Sequence, residues 1–136
     1  MTDSDHQFFQ KFNFSKEQVR KYVQAAEKDW KIARGSDVAD VVFKFSYDAI
    51  LKPAVYVAAC SGLRVRSVAG HHIKLLEKLS EVIQNEDAFY VANEMRQKRN
   101  IDLYQGGALI TEKDAESYLG FVSSVFESVL AKLPME

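Results

Sequence analysis

At 136 residues, with 47% apolar and 27% charged side chains, the chain has the length of one domain and a composition that can bury a core. Eighteen Lys and Arg face nineteen Asp and Glu, a net charge of −1, which excludes a wholesale electrostatic grip on nucleic acid and leaves only a local basic patch. The single cysteine, Cys60, excludes an intrachain disulfide and a cysteine-based metal cluster, and the longest apolar run, Ala54 to Cys60, is too short for a membrane span.

The chain reads as one domain over 1–136, with 1–14 as a mobile N-terminal segment that carries His6. Its acidic, polar start does not open a signal peptide, and with one cysteine the expected location is the cytoplasm. Phe8, Phe9, Phe12 and Phe14 crowd this segment and suit a core or dimer contact better than a stacking platform for bases.

Five helices are expected, in chain order, and no alternating strand. The first starts at Ser15, where Ser15 and Gln18 have the spacing of a capping box, and Gly35 stops it. Ser36 then caps a long second helix with Val38, Val42, Phe45, Ala49, Tyr56 and Cys60 on its stripe. Pro53 kinks that helix without ending it, since the pattern resumes in phase, and Gly62 closes it. Cys60, on an apolar stripe, is expected as a small core residue. Leu63 to Ala69 reads as a loop. The third helix starts near Gly70 and buries Ile73, Leu76, Leu79 and Ile83; the fourth starts near Asn85 with Ala88, Val91, Ala92 and Met95. Gly106 and Gly107 break it, and Thr111 caps a last helix that runs to Leu133. The fold class is all-α, an up-and-down four-helix bundle with an additional helix.

Two features depart from an ordinary bundle. From Ala49 to Leu76 there is no Asp or Glu, while the stretch holds Lys52, Arg64, Arg66, His71, His72 and Lys74. Either this is an anion site for phosphate, or it is a chance gap whose arginines are solvated or paired elsewhere. His71 and His72 are adjacent, so on a helix they diverge by about 100° and cannot clasp one metal. The second feature is the end of the fourth helix. The stripe Ala88, Ala92, Met95 lands next on Arg99, which turns that guanidinium toward the bundle, where it needs an acceptor. That acceptor is either a carboxylate on a neighbouring helix or a ligand phosphate. Arg96, Asn100 and Tyr104 make an adjacent polar stripe at i, i+4, i+8.

The run Arg99, Asn100, Ile101, Asp102, Leu103, Tyr104 resembles the signature of HEPN domains, the higher-eukaryote and prokaryote nucleotide-binding helical domains. Tyr47 to Lys52, Gly62 to Arg66 and Gly70 to Leu76 resemble other pieces of that family in the same order, so the resemblance spans roughly Val38 to Leu133. It implies a helical domain that binds nucleotide or RNA phosphate, often one half of a toxin–antitoxin or defence pair and often a homodimer, with an antitoxin or nucleotidyltransferase-type partner. No cofactor and no metal is implied. Family nucleases carry Arg, a polar residue, a spacer and then His; matched here, these fall on Arg99, Asn100 and Tyr104, so a Tyr stands at the His position. The family enzymes cut RNA without metal through its 2′-hydroxyl, which calls for a proton carrier near neutral pH. A phenol of pKa about 10 is a poor base there. The resemblance therefore implies phosphate binding by Arg64, Arg66, His71, Arg96 and Arg99, with cleavage weak or absent. The alternative from a different class is a helical protein-interaction module in which Arg99 is a structural ion pair.

Overall fold

Scarce glycine and proline leave long uninterrupted helices, and their apolar stripes decide how these pack. The fold, a computed structural model, describes residues 3–105 and 110–133, and side chains within 5–100 and 110–133. Among the described residues it is all-α apart from one small antiparallel sheet. The order is α1 (Asp3–Phe8), β1 (Phe9–Lys11), α2 (Lys16–Gly35), α3 (Ala39–Cys60), β2 (Leu63–Val65), α4 (His71–Ile83), α5 (Glu86–Gln105) and α6 (Glu112–Lys132). The break expected at Gly106 and Gly107 lies outside the described residues. No described helix is long and apolar enough to cross a membrane.

Helix α2 starts as its sequence dictates. Ser15 Oγ accepts from the Gln18 amide at 3.1 Å, and Gln18 Oε1 accepts from the Ser15 amide at 2.8 Å. Its face Val23, Ala26, Asp29 and Ala33 is buried. Helix α3 is buried around most of its circumference, from Val42 and Phe43 through Tyr47, Ile50 and Ala54 to Val57, Ala58 and Ala59, as befits an element packed by α2 on one side and by α4 and α6 on others. It runs through Pro53 to Cys60 without interruption. Ser36 does not cap it. The N-cap is Val38, and Ser36 Oγ accepts only from the Val38 amide, because the chain is still extended there.

The expected loop from Leu63 to Ala69 needs correction. Gly62, at φ 72°, turns the chain back, and Leu63–Val65 forms β2, pairing antiparallel with Phe9–Lys11 in the register Phe9↔Val65, Gln10↔Arg64, Lys11↔Leu63. A three-residue strand is too short to show a period, and its partner lies far away in sequence. With α1 there are six helices among the described residues rather than five. The phenylalanines of this N-terminal arm turn inward: Phe9 is 1% exposed, Phe8 packs on the same core, and Phe12 and Phe14 lie 4.7 Å apart against Tyr22.

Helix α4 buries Leu75, Leu76, Leu79 and Ile83, with Leu75 in the place expected of Ile73. Gln84, left-handed at φ 54°, turns the chain into α5, whose first half lies on α4 through Ala88, Ala92 and Met95. Thr111 Oγ1 caps α6 by accepting from the Asp114 amide at 3.0 Å. Helix α6 meets α2 where Trp30 Nε1 donates to Ser123 Oγ at 2.7 Å and the Trp30 ring stacks on Phe126. Cys60, expected in the core, is exposed at the end of α3 because the helix stops there and the chain turns away.

Candidate phosphate-binding cleft

The connection from β2 to α4 makes one wall of an open cleft of about 330 Å³, lined by Ser67, Val68, Ala69, Gly70, His71, His72 and Ile73. Arg96 and Asn100 of α5 make the other. Gly70, at φ 81°, occupies the N-cap of α4, a conformation open to glycine at little steric cost. Having no side chain, it leaves the first turn without a side-chain cap, and that turn carries no acidic residue. The His71 amide donates to Val68 O at 3.1 Å; the amides that follow point out of the helix start, as they do at any helix N-terminus.

His71 is fixed by chemistry. Its Nδ1 lies 2.8 Å from the Val68 carbonyl, which can only accept, so Nδ1 carries the proton and Nε2 of the neutral ring is an acceptor. The rings of His71 and His72 lie 4.2 Å apart, edge to face, although neighbours on a helix diverge. The first helical residue is tethered back to the loop, which brings both rings to the same cleft. Burial, then the charges of His71 and Arg96, hold the His72 imidazole below its usual range, so it stays neutral more readily than a free histidine. Arg96 Nε donates to Asn93 Oδ1 at 2.9 Å, which among the described residues leaves four of its five N–H donors for other partners.

The other residues singled out by the sequence are placed elsewhere. Arg99, partly buried, stands on the α3 side of α5, where its charge reaches Tyr47 and Asp48. Arg64 and Arg66 do not line the cleft; both hold the N-terminal arm. Arg66 Nε donates to His6 O at 3.2 Å, and Arg64 lies 4.7 Å from the centre of the Phe12 ring. With its amide oxygen turned toward Arg64, Gln10 accepts from Arg64 Nε and Nη2 at 3.3 and 2.7 Å. Lys52 pairs with the buried Asp29 of α2, and Lys74 with Glu77 at 3.2 Å. The side chain of Tyr104 lies outside the described residues. The stretch without carboxylates is thus not one patch, because its four cations disperse to different partners.

Sequence reasoning passed over two features. The convergence of His72 with Arg96 across two helices leaves no trace in one dimension. Tyr47, 4% exposed on α3, has a hydroxyl with no hydrogen-bond partner among the described residues, and burial pushes its pKa up to about 12 against the lowering charges of Arg96 and Arg99. Its signal was only its place in the segment that resembles the long family helix. The chain matches no protein-family model, no curated protein and no solved structure.

Proposed function

We propose that the chain is a HEPN-like domain that binds nucleotide or RNA phosphate in the α4–α5 cleft, with ribonuclease activity weak or absent, as one component of a toxin–antitoxin or related defence pair. In this reading the long helices α2, α3 and α6, with α4 and α5, form the family's up-and-down bundle. The observation that carries it is that Arg96, Asn100, His71 and His72 line a single cleft that has no carboxylate among its described lining residues. A guanidinium fork, an amide and an open helix start suit a phosphate. The test is fluorescence anisotropy of a short labelled RNA, with and without Arg96→Ala. Binding that falls by about tenfold, near 1.4 kcal/mol, supports the reading, and binding that ignores the substitution sinks it.

A second reading, the protein-interaction module, draws on Arg99 standing near Asp48. If that were a structural ion pair, the Asp48 carboxyl would be pulled down. It is instead raised, by burial first and by Asp29 next, against Lys52, Arg99 and Lys44. Asp48→Asn separates the two. A loss of more than about 1 kcal/mol at neutral pH favours the ion pair; a change within about 0.5 kcal/mol, the range of screened charges, favours the cleft.

A further inference from the structure

We propose that the α4–α5 cleft receives one phosphate monoester, from a small metabolite or from an RNA 5′ end, and is not a track for a phosphodiester backbone. This rests on the phosphate-binding reading above and narrows it to a ligand class.

A polynucleotide track needs cations in a row, each facing solvent. Here the cations that the sequence offers for such a row are each engaged by a separate protein group and form no row, although Arg64 and Arg66 are themselves exposed. Lys52 is paired with Asp29, Lys74 with Glu77, Arg66 with the His6 carbonyl, and Arg64 with Phe12. What converges is compact: Arg96, His71 and His72, with Asn100 beside them. A monoester carries close to two negative charges near neutral pH and three terminal oxygens, whereas a diester carries one charge and two. A guanidinium whose Nη donors are unengaged among the described residues and the one N–H of the His72 imidazole can each donate to a different oxygen, and His71, its ring 4.2 Å from that of His72, adds a donor at Nε2 once the dianion's charge holds a second proton on its ring, which matches the dianion better than the diester. At about 330 Å³ the cleft stands at the small end of ligand sites, enough for a phosphate and a small appendage.

The test compares one short RNA, labelled at its 3′ end, bearing either a 5′-phosphate or a 5′-hydroxyl, with inorganic phosphate and adenosine 5′-monophosphate as competitors. The expected result is a preference of about tenfold or more for the phosphorylated end, competition by both small phosphates, and a logarithmic salt slope of about one to two. Competition by adenosine monophosphate without any preference for the phosphorylated end assigns the site to small metabolites; the preference assigns it to RNA ends as well, and either supports the monoester. Equal binding of both RNAs with no competition, or a slope of about five or more, overturns this inference while the broader reading stands. No binding of any probe sinks both. Arg96→Gln should erase the discrimination in a protein with an unchanged circular dichroism spectrum. Asn100→Asp, which puts a carboxylate in the cleft at constant size on an exposed position, should do the same through repulsion; discrimination that survives it counts against the proposal.

Discussion

On the proposed reading, single side chains set what this chain can do with a phosphate. Where the HEPN resemblance calls for a proton carrier, Tyr104 supplies a phenol that stays protonated near neutral pH. Acid–base help is worth roughly 10² to 10⁴ in rate, so the natural protein should bind RNA and scarcely cut it. Tyr104→His should raise cleavage toward that range, and Arg99→Ala should abolish the gain. Rapid cleavage by the natural protein that survives Tyr104→Phe would move the proton to another residue, with His71 first in line. Buried phenols give a second expectation. Tyr47 and Tyr56 are both pushed up to about 12, chiefly by burial, from an ordinary value of 10.0. The folded state therefore holds these protons more tightly than the unfolded chain. Their contribution is whole below pH 10 and is lost as pH rises from 10 toward 12. Urea midpoints should be flat to about pH 10 and fall beyond it, and Tyr47→Phe should flatten part of that fall. Because the Tyr47 hydroxyl has no partner among the described residues, the same substitution should cost less than about 0.5 kcal/mol at neutral pH. A larger loss would reveal a hydrogen bond in solution.

Helices are where local rules worked best. The Ser15 and Gln18 box and the Thr111 cap are contacts between residues three apart, so adjacent sequence contains every atom involved. Ser36 failed as a cap for a related reason: the candidate was right in type, but the helix starts three residues later, with Val38 at its N-cap. How α5 is held against α6 had no such local sign. Tyr118 OH donates to Glu94 Oε1 at 2.7 Å and accepts from Lys98 Nζ at 2.6 Å, and Lys98 also pairs with Glu94. Two charged groups thus share one buried-side phenol, and this triad ties the helix that carries Arg96 to the last helix. Tyr118→Phe should cost about 1 to 3 kcal/mol, because it removes two hydrogen bonds to charged partners. The measurement is urea denaturation of both proteins; a cost below about 0.5 kcal/mol would mean that the triad does not hold α5.

For the whole molecule, a net charge of −1 had already excluded broad electrostatic attraction to nucleic acid, and the tertiary arrangement goes further by dispersing four cations to separate partners. Assembly belongs to this scale. The resemblance implies pairs of chains with their Arg motifs facing each other, and a dimer mass by light scattering at micromolar concentration is the expected result. A monomer mass would remove that implication. Of the N-terminal phenylalanines, Phe9 is core and Phe8 packs beside it, which leaves the half-buried Phe12 and Phe14 as what that segment can offer such a seam. Residue order alone sufficed for the all-α class, most helix boundaries, the continuity of α3 through Pro53 and the polar stripe containing Arg96 and Asn100. Each of these depends on neighbours within one or two turns, and helical periodicity records such neighbours directly. Packing settled the rest: the β1–β2 pairing, the exposure of Cys60, the dispersal of Arg64 and Arg66 to the arm, and the meeting of His71 and His72 with Arg96. These join segments separated by tens of residues. Which cation reaches a carboxylate, a ring or an open cleft is fixed by where the helices come to rest, and periodicity carries no record of that.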